Sequence, residues 1–298
     1  VTRSTKAHIL LVVVTFIWGA TFVVIKNALT EISPLLFNAV RMTLASLCLA
    51  ALYWRDIATM QRATLRAGIF VGVFLWLGYE FQTTGLRLTT PSKSGFLTGV
   101  SVVLVPVFLA MFWRRKINRW TLLGVSGAVL GLFLMTVPTA GGSLADWSSV
   151  NLGDLLTLGC AVAFAFQIIL LGRATERHPF RSIAFLQMAT AAALMALTVP
   201  VIEQAHSTWS WRVWAAIAVT GVLGTALAFT IQAWAQQFTP ATHTALIFAL
   251  EPVFAWLTSF LVEGERLGWR ASAGALLILG GVVLSELKGG AGPLVEPV

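Results

Sequence analysis

Apolar stretches of about 20 residues recur from one end of this chain to the other, each long enough to cross a hydrocarbon core of about 30 Å as a helix. One of them, His8 to Val24, reads HILLVVVTFIWGATFVV. Strands that span lipid alternate apolar and polar residues over about ten positions, so an unbroken run of this kind is helical. Ten spans are expected, over roughly residues 8–28, 34–54, 67–87, 91–113, 120–137, 152–172, 180–201, 212–236, 240–262 and 269–287. With 57% of residues hydrophobic, 11% charged and a mean hydropathy of +0.84, the fold class expected is an all-α polytopic membrane protein rather than a soluble domain.

The formal charge of +8 belongs to the loops and does not point to nucleic acid. With the N-terminus inside, thirteen Lys and Arg fall in inner segments, and six (Lys26, Arg87, Lys93, Arg212, Arg266 and Arg270) fall in outer ones. The positive-inside rule then predicts a multi-pass protein of the bacterial inner membrane with both termini cytoplasmic. Arg3 and Lys6 before an apolar run imitate a signal peptide, but the run is long and has no A-x-A pattern before Lys26, which predicts an uncleaved helix. Nine tryptophans (Trp54, Trp113, Trp120, Trp147, Trp209, Trp211, Trp214, Trp234 and Trp269) fall near span ends, as in an aromatic belt, whereas Trp18, Trp76 and Trp256 fall deep. Cys48 and Cys160 lie far apart inside apolar runs and read as inert packing residues.

The two halves carry matching landmarks. Pro34 opens the second span as Pro179 opens the seventh, and Thr90-Pro91 recurs 149 residues later as Thr239-Pro240. Pro106 and Pro252, each inside a span, form a third pair once three residues are gapped. Residues 1–149 and 150–298 therefore read as two five-helix repeats within one membrane domain. Five is odd, so the second copy enters from the opposite face; accordingly RRKINR after the fourth span has EGERLGW as its counterpart. Inverted repeats of this kind build secondary transporters with a site near the midplane. The GxxxG pairs Gly68/Gly72, Gly95/Gly99 and Gly127/Gly131 suit close internal helix packing better than an oligomer interface, and a monomer is expected.

Ionisable and polar residues within spans are costly and draw attention as functional candidates. Glu80 lies past the middle of the third span, Glu251 at the centre of the ninth, and Arg41 about two turns into the second. Asn38 and Arg41 share a helix face, as do Trp76, Tyr79, Glu80 and Thr83. By depth Arg41 and Glu80 are expected to pair, either fixing helix register or contacting substrate. In the inner half, Gln167, Gln187 and Gln232 offer amides for a substrate or for interhelical bonds, while His243, near the inner face, reads as a solvated surface residue. Pro106 and Pro252 free backbone carbonyls and bend their helices, which marks the fourth and ninth spans as gating elements or structural kinks. Asp154 reads as a helix cap. No metal-ligand spacing, phosphate loop, HExxH or GxSxG occurs, so neither a cofactor, an ATPase nor an enzyme is expected.

The paired halves, FIWGATFV around Trp18-Gly19, PSKSGFLTGVSVVLVPVF and ALEPVFAWLTSFLVEGERL together resemble the EamA-type branch of the drug/metabolite transporter superfamily, along nearly the whole chain. The Glu251-Pro252 and Gly264-Glu265 elements carry the resemblance; in the first half Arg115-Lys116 replaces the Gly-Glu element. The resemblance implies export of small amphipathic metabolites, amino acids among them, and within the family the YddG-type exporters of aromatic amino acids are most similar. Alternating access is the expected mechanism, with proton coupling through Glu80 or Glu251 a further expectation. The competing reading is an uncoupled, channel-like drug/metabolite facilitator or a scaffold, with partners limited to a small-molecule substrate and lipid.

Overall fold

In a computed structural model of the chain, residues 2–89, 91–136, 151–264 and 268–288 are described, and they are helical with no named strand. The principal helices are α1 (Arg3–Ala28), α2 (Pro34–Leu52), α3 (Arg62–Leu86), α4 in two pieces (Pro91–Gly99 and Ser101–Trp113) and α5 (Arg119–Thr136). They are followed by α6 (Leu152–Arg177), α7 (Phe180–Ile202), α8 (Trp211–Ala235), α9 in two pieces (Ala241–Phe248 and Glu251–Glu263) and α10 (Trp269–Lys288). A short helix, Trp54–Ala58, follows α2. Nine helical segments among the described residues are long and apolar enough to cross a membrane, and α5 is a shorter apolar helix. Thr90, Trp147, Glu265 and Arg266 lie outside the described residues.

Local chemistry accounts for the helix ends. Pro34 occupies the first turn of α2, where a missing amide costs nothing. Asn151 and Asp154 cap α6 reciprocally, and Thr89 donates to Asp154 at 2.6 Å, so Asp154 holds the position read for it. The second piece of α4 ends on a left-handed residue, Arg114 (φ 51°), and the second piece of α9 on Gly264 (φ 71°). Both repeats thus make the same tight stop, though only one supplies the glycine that makes it inexpensive.

Pro252 corrects an expectation. Pro106 lies within the second piece of α4, but Pro252 sits in the first turn of the second piece of α9, just after an interruption. The equivalent features are the interruptions themselves, at Val100 and at Ala249-Leu250. Val100 and Ala249 are separated by the same offset as Pro91 and Pro240. In both, amides turn to carbonyls three residues back, Val100 to Leu97 and Leu250 to Ile247, the tighter pattern of a 3₁₀ turn.

Helix packing exchanges the halves. As α3 packs on α6 and α7, so α8 packs on α1 and α2; as α4 packs on α6, so α9 packs on α1. The pairs α2–α7, α4–α9 and α5–α10 map onto themselves. This is the contact pattern of two repeats related by a two-fold axis. Because helices alternate direction, counterparts five helices apart run oppositely. Small residues bring the partners together: a Cβ added at Gly124 would lie 2.6 Å from the Gly281 oxygen, and one at Gly131 would lie 2.5 Å from the Gly274 oxygen. Gly68 meets Leu186, and Gly72 meets Thr190 and the Gln187 backbone, so these glycines serve internal packing.

Opposite ends of the bundle are tied differently. At one end, loop residues Ile32 and Ser207 form a β-bridge, and Glu203 accepts the Leu35 and Leu36 amides at 3.1 Å, capping α2 from the end of α7. At the other, His8 near the start of α1 reaches Glu286 near the end of α10, so the two ends of the described chain lie on one side.

Adjacent glycines on α10 provide an internal control. Gly281→Ala places a Cβ 2.5 Å from the Gly124 oxygen, whereas the site at Gly280 is open. The first substitution is expected to cost about 1–3 kcal/mol by overpacking, the second under about 0.5 kcal/mol. Thermal unfolding of the purified variants in detergent measures the difference; equal midpoints would refute the α5–α10 packing described.

Candidate functional site

The centre of the bundle is assembled where α1, α2, α3, α8 and α9 meet. Trp18 on α1 donates its indole N–H to the Gly224 carbonyl at 2.7 Å. That carbonyl lies within a π-helical segment of α8, Val222–Leu227, between α-helical flanks. The wider turn leaves carbonyls outside the regular i→i−4 ladder, and such bulges recur at functional sites. The Trp18 ring packs against Phe248 (4.9 Å between centroids) and Phe229 (5.3 Å). Gly19 lets α1 approach the second piece of α9 closely, since a Cβ there would sit 2.6 Å from the Ala255 nitrogen.

Two bonds between α2 and α3 set the polar part of the site. Asn38 donates to Thr83 Oγ1 at 2.9 Å, and the Arg41 guanidinium lies over the Tyr79 ring at 4.8 Å. The register is antiparallel, three residues forward on α2 against four back on α3, as the shared faces of both helices predict. Arg41 is only 7% exposed, and its buried Nε has no hydrogen-bond partner. Tyr79 meets Phe164 edge-on at 5.5 Å and interacts electrostatically with both Arg41 and Glu251. Glu251, at the break in α9, retains partial accessibility deep in the bundle, as do Trp18, Trp76 and Tyr79.

Glu80 does not join this group, which corrects the pairing expected with Arg41. Adjacent residues on a helix point about 100° apart, so with Tyr79 turned to α2, Glu80 turns towards α7. There it neighbours Thr198 and Trp76, and neither its carboxylate oxygens nor the Trp76 indole nitrogen makes a well-directed hydrogen bond. Among the described residues no carboxylate lies within salt-bridge distance of Arg41.

The glutamines bond to one another. Gln167 donates to Gln187 at 3.0 Å, Gln232 donates to Gln167 at 3.4 Å and to Gln236 at 3.2 Å, and Gln236 donates to the Ile168 carbonyl at 2.9 Å. This chain joins α6, α7 and α8 and buries all four side chains. Gln237 adds a bond from the end of α8 to the Thr175 carbonyl on α6.

His243 is also corrected: it is buried, 2.9 Å from Glu286, with His8 on the carboxylate's other oxygen at 2.6 Å. Sequence reasoning missed His8, Glu286 and Glu203, and it missed Phe164, Phe229 and Phe248 among the central rings. The pair Gly221 and Gly224 within an apolar helix was the available signal for the π segment. An apolar groove of about 780 Å³ lies elsewhere, between α2, α7 and α8, and no candidate named from the sequence lines it.

A helical membrane bundle whose halves exchange contacts around a polar, ring-lined centre has the architecture of a two-repeat transporter. The chain belongs to the EamA-like transporter family, whose profile matches residues 5–137 and again 151–287. It is similar to an uncharacterized transporter of Archaeoglobus fulgidus, 32% identical over 280 residues, 93% of this chain and 85% of that protein. It is also similar to the threonine/homoserine exporter RhtA of Escherichia coli, 27% identical over 258 residues, 84% of this chain and 79% of that one. A crystal structure superimposes with a TM-score of 0.78 at 19% identity, covering 95% of this chain and 97% of that one, which shows the shared fold.

Replacing Gln167 by Met keeps the volume but strands the Gln187 oxygen and a Gln232 amide proton. A loss of about 1–3 kcal/mol is expected, read as a lower unfolding midpoint; an unchanged midpoint would show that the network contributes nothing to stability.

Proposed function

We propose that this protein is a secondary transporter that exports small amphipathic metabolites, amino acids among them, by alternating access. The observation that carries this reading is the buried Arg41 over the Tyr79 ring, with no carboxylate among the described residues within salt-bridge distance, and with Glu251 near enough to interact electrostatically with the same phenol. A guanidinium without a counter-ion is costly in a low-dielectric interior. An amino acid offsets that cost when its carboxylate meets Arg41, while its ammonium meets Glu251 and its side chain meets the Trp18 and Trp76 rings. The release of threonine and homoserine by RhtA supports an amino acid, and the ring-lined centre favours a larger side chain, aromatic ones included.

An asymmetry between the repeats supports alternating access. Gln236 and Gln237 tie the end of α8 to α6, and the first piece of α9 also packs on α6. The counterpart closure, of α3 and the first piece of α4 onto α1, is not among the close packings of the described residues. Arg87 near the end of α3 instead reaches Glu203 at 3.7 Å. Among the described residues, one end is therefore tied between these helices in a way that its mate is not, which supports two states related by exchange of the halves. With the termini inside, the tied end is the cytoplasmic one.

Flux of labelled threonine, homoserine, phenylalanine, tryptophan and methionine in proteoliposomes tests the proposal. Saturable flux of at least one, with trans-stimulation by unlabelled substrate, is expected, and absence of any saturable flux overturns it. Arg41→Ala should lower that flux at least about tenfold, the effect of losing one charge-assisted contact. Glu251→Gln should abolish accumulation driven by a pH gradient, while counterflow exchange persists at higher substrate concentration because the ammonium contact is weakened. Gradient-driven accumulation unaffected by this substitution would place the coupling at another group, and flux of the unmodified protein that is indifferent to the gradient would make it a uniporter.

A further inference from the structure

The three side chains that join α1, α9 and α10 make up a donor set that the transport reading does not use. His8 Nδ1 lies 2.6 Å from Glu286 Oε2, and His243 Nδ1 lies 2.9 Å from Glu286 Oε1. One ligand atom from each of the three residues falls within 4.8 Å of the other two. The imidazole rings are 5.9 Å apart and tilted by 35°. His8 is ten residues before Trp18 and His243 is eight before Glu251, so the cluster stands about 12–15 Å along the helices from the proposed substrate centre.

We propose that His8, His243 and Glu286 form a binding site for one divalent transition-metal ion of the zinc type. Two imidazoles and a carboxylate, with a fourth position left for water, are a recurrent three-ligand set for such ions. Close contact alone does not account for the geometry. His243 Nδ1 and Glu286 Oε1, 2.9 Å apart, are buried atoms without a well-directed hydrogen bond, and so is His8 Nε2, the ring nitrogen that does not contact Glu286, so the His243–Glu286 contact is short but poorly aimed as a hydrogen bond. An ion between them would use those lone pairs directly. Ligand atoms around four-coordinate zinc, at about 2.0 Å from the metal, lie about 3.3 Å apart. The two carboxylate contacts need open by only about 0.4–0.7 Å, and the imidazole nitrogens, which lie within 4.8 Å of one another, need close to about 3.3 Å, adjustments that rotation of the Glu286 and partly exposed His8 side chains provides.

Access and local charge are compatible with an ion. The side chains of His8 and Glu286 are 24% and 19% exposed while that of His243 is 5% exposed, so the site has one open side. Of the basic residues near in sequence, Arg3 lies over Phe238 and Lys6 over Trp234, each at 5.6 Å, while Lys288, two residues beyond Glu286, is exposed at the end of α10. A bound ion would tie α1 to α9 and α10 at the end of the bundle already closed by Gln236 and Gln237. The proposal does not depend on which substrate is carried.

Full-length protein in detergent, stripped by a chelator and dialysed, is titrated with CoCl₂ while its visible ligand-field absorption is recorded, then with ZnCl₂ in competition. One cobalt per chain, displaced by zinc, is expected. His8→Gln and Glu286→Gln should each weaken binding at least about tenfold, with circular dichroism checking that the variants are folded. His8→Gln alters a partly exposed position and keeps the test decisive if Glu286→Gln does not fold. No saturable cobalt or zinc binding by the unmodified protein overturns the proposal. So does binding of unchanged affinity in His8→Gln, since the ion would then sit at other residues, such as His178 or His206.

Discussion

A hydrocarbon core offers no hydrogen-bond partner, so every polar group placed there must be satisfied by the chain itself. The rest of this structure follows from that constraint. It makes the backbone helical, and where the helices depart from regularity it dictates how the departure is covered. The π segment of α8 exposes the Gly224 carbonyl, which receives the Trp18 indole. The interruptions in α4 and α9 tighten to three-residue bonds rather than opening. The glutamines bond one another across three helices, with Gln187 Nε2 and Gln232 Oε1 left over. Among the groups left over Arg41 is costly, because a charge is dearer than an amide in a low dielectric.

The repeat supplies the second organising rule. Each half alone presents helices with unpartnered faces, and burial is achieved by lending them to the other half: α3 to α6 and α7, α8 to α1 and α2. Glycines on the self-paired helices α5 and α10 allow a backbone approach close enough that carbonyl oxygens lie where side chains would begin. That region reads as a fixed seam. Of the helices gathered at the site, α8 is bulged and α9 is broken instead, and irregular backbone at membrane depth is tolerated where it is enclosed by protein or lines a cavity.

Hydropathy and proline spacing made the spans, the repeat and the family legible before any coordinates, because those features repeat along the sequence at intervals of one helix or one half. The offset between Pro91 and Pro240 even locates the helix interruptions, although Pro106 and Pro252 suggested different positions for them. Candidate residues were legible one helix at a time: Asn38 with Arg41, and Tyr79 near Thr83. What was not legible was the choice between adjacent faces of α3. Tyr79 and Glu80 are neighbours in sequence, and only the rotation of α3 against α2 decides that the phenol rather than the carboxylate meets Arg41. The cluster of His8, His243 and Glu286 was not legible for a related reason, since its members come from three helices and no spacing rule joins them, so that His243 alone read as a surface residue.

The glutamine ties and the histidine–glutamate cluster occur at the same end of the bundle, and both have failed to be duplicated by the repeat. Gln236 has Arg87 at the corresponding offset in α3, and Arg87 bonds to α7 rather than to α1. A two-fold repeat with identical halves would hold its two end-closures at equal free energy. Substituting amides for a guanidinium at one closure removes that equality, because neutral side chains bond across a buried contact without the desolvation cost of a charge. On the transport reading proposed above, closure at the glutamine end would thereby be favoured in the empty protein. A substrate that compensates Arg41 would then act from the midplane, where both halves meet, and would change the balance between the two closures without touching either of them.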